Sequence, residues 1–153
     1  MSSIKIPYRK INFLSPLVQD YLSESTELSS FYGRYNTIDS FRNQMEEKSQ
    51  FPINRMTLVD VLKKQNQAID LSDLTKSNIE SLESTSTFTI TTGHQLCIFT
   101  GPLYFLYKIV STINLSLALK EKYPSKHFVP VFWLASEDHD FDEINHINLF
   151  DQT

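Results

Sequence analysis

The sequence FTITTGHQLCIFTGPLYFLYKIVSTINLSLALKEKYPSKHFVPVFWLA, residues 88–135, decides the fold of this 153-residue chain. Residues 88–92 (FTITT) are β-branched and aromatic, which favours a β-strand. Pro102 suits the first turn of a helix, apolar side chains then recur at helical spacing, and Pro124 ends the helix. Residues 128–135 (FVPVFWLA) are nearly all apolar, a pattern typical of a strand covered on both faces. The stretch therefore predicts a strand–helix–strand unit with parallel strands.

Polar side chains follow both predicted strands. Gly93, His94 and Gln95 come directly after the first strand, and an acidic segment at residues 137–146 follows the second. In open α/β sheets, ligands bind beyond the carboxyl ends of the strands. The two polar segments follow different strands, and both are expected at the same edge of the sheet. The sequence therefore predicts a functional site there.

The Gly93-His94-Gln95 group supports two interpretations. Glycine permits a tight turn and the close approach of a ligand, and an imidazole can bind phosphate or stabilise developing charge. The alternative is a histidine that caps and ties a loop. The group matches neither the Walker loop nor the Gly-x-Gly-x-x-Gly fingerprint.

The acidic segment concentrates charge. The chain has a formal net charge of −4, and five acids fall within seven residues: Glu137, Asp138, Asp140, Asp142 and Glu143. Carboxylates crowded after a buried strand repel each other unless a cation, an amine or hydrogen-bond donors balance them. A substrate ammonium, a proton transfer or a metal would supply that balance; the alternative is a solvated loop before a helix. A metal is less favoured, because His139 and His146 do not have a standard zinc spacing.

Four further side chains within the strand–helix–strand stretch have open roles. Lys108 interrupts an apolar helix, so it either extends to the surface or binds an anionic group at the site. Trp133, Tyr104 and Tyr107 are most simply core residues, although each can offer a polar atom at the edge of a pocket.

The first 87 residues are predicted to be a helical segment that packs against other structure and carries no chemistry. Helices are expected after Ser15-Pro16, around residues 38–45, around residues 58–69 and after Ser72. Residues 88–153 are predicted to begin an α/β core that is incomplete, since two or three strands cannot cover the edges and faces of a sheet.

Several protein classes are disfavoured. The single Cys97 excludes an internal disulfide framework, and no basic block points to a nucleic-acid surface. We find no signal-peptide pattern and no apolar run long enough for a membrane helix, so a cytoplasmic protein is expected.

Residues 91–115 (TTGHQLCIFTGPLYFLYKIVSTINL) and 128–146 (FVPVFWLASEDHDFDEINH) resemble the N-terminal region of the bacillithiol biosynthesis cysteine-adding enzymes. The resemblance implies an incomplete Rossmann-like, nucleotidyltransferase-like parallel sheet after a helical N-terminal segment. It also implies a cysteine ligase that forms an amide with glucosaminyl malate, although this N-terminal part is expected to be inactive alone. ATP is the expected activator of the carboxylate, and the full-length family is expected to be a homodimer with a coiled coil.

The resemblance also implies residue roles. His94 and Gln95 would stabilise developing charge. Asp138, His139 and Asp140 would orient the amine or move its proton, and Gly93, Glu137 and His146 would shape the pocket. This chain differs from the common family pattern at Leu96-Cys97 and at Ser136. Two alternatives remain: a small non-catalytic module that binds an amine or nucleotide, and a metal-assisted hydrolase built on Asp138, His139 and Asp140.

Overall fold

The computed structural model describes residues 4–11, 13–137 and 141–147. The chain divides into two compact units, Met1–Gln50 and Phe51–Thr153. This division lies within the helical segment predicted for residues 1–87, because two of its helices belong to the unit that contains the sheet.

The first unit contains short helices. Its 3₁₀ helices are Tyr8–Lys10 and Thr26–Phe31, and its α-helices are α1 (Pro16–Leu22) and α2 (Ser40–Lys48). The predicted start of α1 is confirmed, since the Ser15 hydroxyl accepts a hydrogen bond from the Val18 amide at 3.4 Å. Three tyrosine rings cluster in this unit, and burial, followed by the nearby charge of Glu24, raises the pKa of the Tyr35 hydroxyl.

The second unit contains the predicted strand–helix–strand. Helices α3 (Arg55–Gln65) and α4 (Asp73–Ser81) precede strand β1 (Thr87–Gln95), helix α5 (Leu103–Lys122) and strand β2 (His127–Ala135). A one-turn helix, α6 (Phe141–Ile144), follows. The caps of α3 and α4 are side-chain oxygens, Asn54 Oδ1 and Ser72 Oγ, which accept from backbone amides at 3.1 and 3.2 Å. The sequence also indicates a short strand at residues 147–150, which lies mostly outside the described residues.

The two strands are parallel, as predicted, and pair from Thr87 opposite His127 to Gln95 opposite Ala135. Strand β1 continues three residues further than predicted, so the turn predicted at Gly93 is wrong. Gly93 lies within the strand, opposite Trp133. A Cβ at Gly93 would lie 2.8 Å from the Trp133 carbonyl oxygen, so the close approach that requires glycine is made by the neighbouring strand.

Each face of the strand pair packs against helices. On one face, Val129 and the half-buried Val131 pack with buried side chains of α3, α4 and the turn after α4: Val59, Ile79 and Leu82. On the other face, α5 packs across both strands and buries Leu119. The buried hydroxyls of α5 are satisfied within the helix, since Thr112 donates to the Lys108 carbonyl oxygen and Ser116 donates to the Thr112 carbonyl oxygen.

The amino end of the strand pair is tied to α3 by Arg55. Its guanidinium donates to the carbonyl oxygens of Leu82 at 2.9 Å and of Thr87 at 3.2 Å. The Thr87 hydroxyl is buried and donates to the Ser81 carbonyl oxygen at 2.7 Å. These bonds satisfy the backbone where the chain leaves α4 and enters the sheet.

The carboxyl end is more open. Trp133, Tyr104 and Tyr107 are 60%, 54% and 63% exposed, so the prediction that they are core residues is wrong. The apolar pattern of the sequence predicts burial only where another segment covers the side chain. Within the described part of the chain, no helix is both long enough and apolar enough to cross a membrane.

Candidate functional site

An open cavity of about 380 Å³ lies at the carboxyl ends of the two strands, beside the first turns of α5. Seven residues line it: Gly93, His94, Gln95, Tyr104, Lys108, Trp133 and Ala135. The structure therefore brings together four of the residues predicted for the site, from two elements separated by the loop at 96–102.

The imidazole of His94 is held by hydrogen bonds at both nitrogens. Nδ1 lies 2.9 Å from the Gln95 carbonyl oxygen, and Nε2 lies 2.8 Å from the Tyr104 hydroxyl. A carbonyl oxygen only accepts hydrogen bonds, so Nδ1 carries a proton. In the neutral ring Nε2 is then unprotonated and accepts from the hydroxyl. The geometry thus defines the tautomer of a neutral His94.

Aromatic rings fix the orientation of the same imidazole. The centroid of the His94 ring lies 5.3 Å from that of Tyr104 and 5.4 Å from that of Phe105. Phe105 in turn packs edge-on against Phe132 of β2, with 5.2 Å between centroids. His94 is consequently supported by its own strand, by α5 and, through Phe105, by the neighbouring strand.

Lys108 supplies the positive charge of the cavity. It is half-buried and lies one helical turn after Tyr104, on the same side of α5. Its Nζ makes no hydrogen bond or ion pair with any described residue. A half-buried ammonium favours a negatively charged partner, so this position is chemically suited to a carboxylate or a phosphate.

The loop between β1 and α5 has an unusual backbone. Phe99, Thr100 and Gly101 have φ values of 52°, 66° and 64°, and this left-handed region is costly for a β-branched residue such as Thr100. At Gly101 a Cβ would lie 2.6 Å from the Cys97 Sγ, so glycine is required there. Within the loop Gly101 thus lies against Cys97, whereas Phe99 is exposed.

The acidic segment contributes less to the described site. Asp138, His139 and Asp140 lie outside the described residues. Glu137 is exposed in the turn after β2 and is not among the residues that line the cavity. His146 is also exposed, and its Nδ1 lies 2.8 Å from the Asn145 Oδ1 in its own segment. The roles predicted for these five residues stay predictions.

The described residues contain no group of three His, Cys, Asp or Glu side chains that could hold a metal ion. The metal-assisted hydrolase considered above rests on Asp138, His139 and Asp140, which lie outside those residues. It therefore remains a hypothesis without a described site.

Tyr104 and Trp133 line the cavity, although the sequence predicted both as core residues. For Trp133 the prediction followed from the apolar pattern of its strand. A signal for the role of Tyr104 was present, because Tyr104 and Lys108 are four residues apart at the start of the helix that follows His94. Residues with that spacing share one helix face, so a site that includes Lys108 is expected to include Tyr104.

Comparison with known proteins identifies relatives over nearly the whole chain. The family model described as "Bacillithiol biosynthesis BshC, N-terminal Rossmann-like domain" matches residues 1–153. A protein of Flavobacterium johnsoniae named "Putative cysteine ligase BshC" is 57% identical over 145 residues, which cover 94% of this chain and 27% of that protein. Proteins with the same name from Christiangramia forsetii and Flavobacterium psychrophilum are 53% and 55% identical over 146 residues, again 94% of this chain.

The chain spans 27% to 28% of the length of these three relatives. The Rossmann-like family agrees with the parallel α/β unit of the structure, and it confirms the predicted fold class and the predicted family. This chain belongs to the BshC family and represents its N-terminal Rossmann-like domain.

Proposed function

We propose that this chain forms part of a ligase that joins the carboxyl group of cysteine to the amine of glucosaminyl malate, in the cytoplasm, to give bacillithiol. Membership of the BshC family and the ligase name of its relatives support the ligase class. The main support for the site is that His94, Gln95 and Lys108 line one cavity at the carboxyl ends of the strands.

Each residue of the cavity has a role in this proposal. Lys108 binds an anionic group, and the malate carboxylates of the substrate have the required charge. His94 and Gln95 act on the reacting groups, since an oriented imidazole beside a polar amide is suited to acid–base chemistry. Asp138, His139 and Asp140 orient the amine in the same proposal.

A carboxylate is a poor acyl donor, and ATP, when bound, would supply an activated form of the cysteine carboxyl group. Lys108 is a residue of this chain that fits one phosphate, by the same chemistry that fits a carboxylate. The homodimer and the coiled coil implied by the family resemblance also belong to this proposal. Light scattering on the full-length protein would measure its molar mass and so test the homodimer.

The proposal is tested with a chimera in which this chain replaces the matching segment of the Flavobacterium johnsoniae relative. The purified chimera receives cysteine, glucosaminyl malate and ATP, and mass spectrometry measures bacillithiol. We expect His94→Ala to lower the rate by about 10²-fold, the lower limit of what an acid–base group contributes. The 153-residue chain alone is expected to form no product.

His127→Gln is the matched control. His127 lies at the other end of β2, seven residues along the strand pair from the position opposite His94, or about 23 Å away. Its rate should stay within about twofold of the unsubstituted chimera, because it lines no part of the cavity. An unchanged rate for His94→Ala, or no product from a chimera whose parent relative is active, would contradict the proposal.

A further inference from the structure

Tyr104 has a specific chemical relation to His94 that packing alone does not explain. Its hydroxyl oxygen is 2.8 Å from Nε2, and the side chain lines the same cavity while remaining 54% exposed. The residue is therefore placed to contact both a bound ligand and the imidazole.

The hydrogen bonds of the neutral imidazole determine what it can do. Its single N–H, on Nδ1, is donated to the Gln95 carbonyl oxygen at 2.9 Å. Its lone pair, on Nε2, accepts the Tyr104 proton. No N–H remains on the neutral ring for a developing negative charge, whereas the lone pair of Nε2 can take a proton through the tyrosine.

We infer that Tyr104 and His94 act as one proton-accepting pair, in which Tyr104 is a further catalytic residue. This inference rests on the proposed amide formation for the source of the proton. The amine attacks the cysteine carboxyl group in its ATP-activated form, so that the new C–N bond forms and the bond from the acyl carbon to the activating phosphate group breaks, and the phosphate leaves as an anion. The amine loses a proton to the Tyr104 oxygen, and the Tyr104 proton moves to Nε2. The ring becomes an imidazolium, and its Nδ1–H still donates to the Gln95 carbonyl oxygen. His94 thus serves as the base, in place of the charge-stabilising role implied by the family resemblance.

The first test measures the pair itself by NMR on the ¹⁵N-labelled chain. Long-range ¹H–¹⁵N spectra distinguish protonated from unprotonated ring nitrogens, and His94→Gln assigns the signals. When the ring carries a single proton, we expect that proton on Nδ1 and none on Nε2. Tyr104→Phe should shift the Nε2 signal to higher frequency, because its lone pair loses the hydroxyl proton.

Tyr107→Phe is the control, since it removes a hydroxyl from the same helix at a side chain that is 63% exposed and does not line this cavity. It should leave the Nε2 signal in place. A protonated Nε2 in the unsubstituted chain would overturn the inference, and so would an Nε2 signal that Tyr104→Phe does not move. If Tyr104→Phe does not fold, the spectrum of the unsubstituted chain decides.

The second test uses the chimera described above. Tyr104→Phe should lower kcat at least about tenfold with little change in the KM for cysteine, because acid–base groups act on the chemical step. An unchanged kcat would overturn the inference. If the unsubstituted chimera makes no bacillithiol, the proposed function fails, and the NMR result still decides whether the pair exists.

Discussion

The two ends of the β1–β2 pair differ in the hydrogen bonding of their polar groups and in the burial of their apolar side chains. At the amino end, Arg55 and Thr87 donate to backbone carbonyl oxygens, and Phe128 and Val129 are buried. At the carboxyl end, Trp133 and Leu134 are 60% and 50% exposed. Lys108 has no ionic partner there among the described residues.

This difference separates stability from function along one short sheet. Groups that are already hydrogen-bonded or buried contribute to folding. A half-buried cation without a partner lowers the stability of the chain, exposed apolar side chains add little to it, and both favour a ligand or a covering segment. Natural proteins often leave such groups uncompensated at functional sites, and here they lie at the carboxyl end of the strand pair. Four predictions test this difference between the two ends.

The largest expected effect is on packing at the amino end. Leu82 is 5% exposed and packs in the core with Val59 and Val129, so Leu82→Ala should lower the free energy of unfolding by about 3 kcal/mol. Leu134→Ala at the open end should cost less than about 1 kcal/mol, because half of that side chain is already in water. Urea unfolding of both variants measures the difference. Equal losses would show that the two ends are packed alike.

The second effect concerns Gly93, a strand position at the open end that has no room for a side chain. Gly93→Ala should destabilise the chain by about 2 kcal/mol, because its Cβ would lie 2.8 Å from the Trp133 carbonyl oxygen and the strands would have to separate. Gly33→Ala is the control, since no atom lies within 4 Å of the added Cβ. The control should change stability by less than about 0.5 kcal/mol. A neutral Gly93→Ala would mean that the strand pair is loose at this end.

The third effect compares two cations. Arg55→Met removes two hydrogen bonds to the carbonyl oxygens of Leu82 and Thr87 and should lower the unfolding free energy by about 1–3 kcal/mol. Lys108→Met removes a cation that makes no ion pair with the described residues, so it should leave stability unchanged or raise it slightly. Urea unfolding measures both variants. A large loss of unfolding free energy for Lys108→Met would show that Lys108 stabilises the fold, as Arg55 does.

The elements with local signals were predicted correctly from the sequence. Ser15 and Ser72 cap α1 and α4 as expected, and the proline-bounded helix and the apolar strand give α5 and β2. Each of these signals lies within a few residues of the feature it determines. The parallel pairing followed from the connection, because a helix between two strands requires a crossover.

The errors came from contacts between residues distant in sequence. Gly93 was predicted in a turn because glycine permits one, and its strand partner Trp133 lies forty residues further along the chain. Tyr104 and Trp133 were predicted as core because apolar patterns do not show which segment covers them. His94 and Lys108 were predicted for the site, and the four-residue spacing places Tyr104 on the same helix face as Lys108. The hydrogen bond between Tyr104 and His94 depends on the orientation of the imidazole, which the spacing does not determine.

The fourth and smallest effect tests whether the carboxyl end binds an anion without the rest of the protein. L-malate carries the carboxylates of the proposed substrate, and Lys108 is half-buried in the cavity wall. At ten times its dissociation constant, a ligand of the folded state raises the free energy of unfolding by about 1.4 kcal/mol. Thermal unfolding with and without malate should show this stabilisation in the unsubstituted chain and in Lys63→Met, a surface control on α3, and should not show it in Lys108→Met. An equal response in all three chains would show that malate binds elsewhere. The exposed groups at the carboxyl end would then be explained by a covering protein segment and not by a ligand.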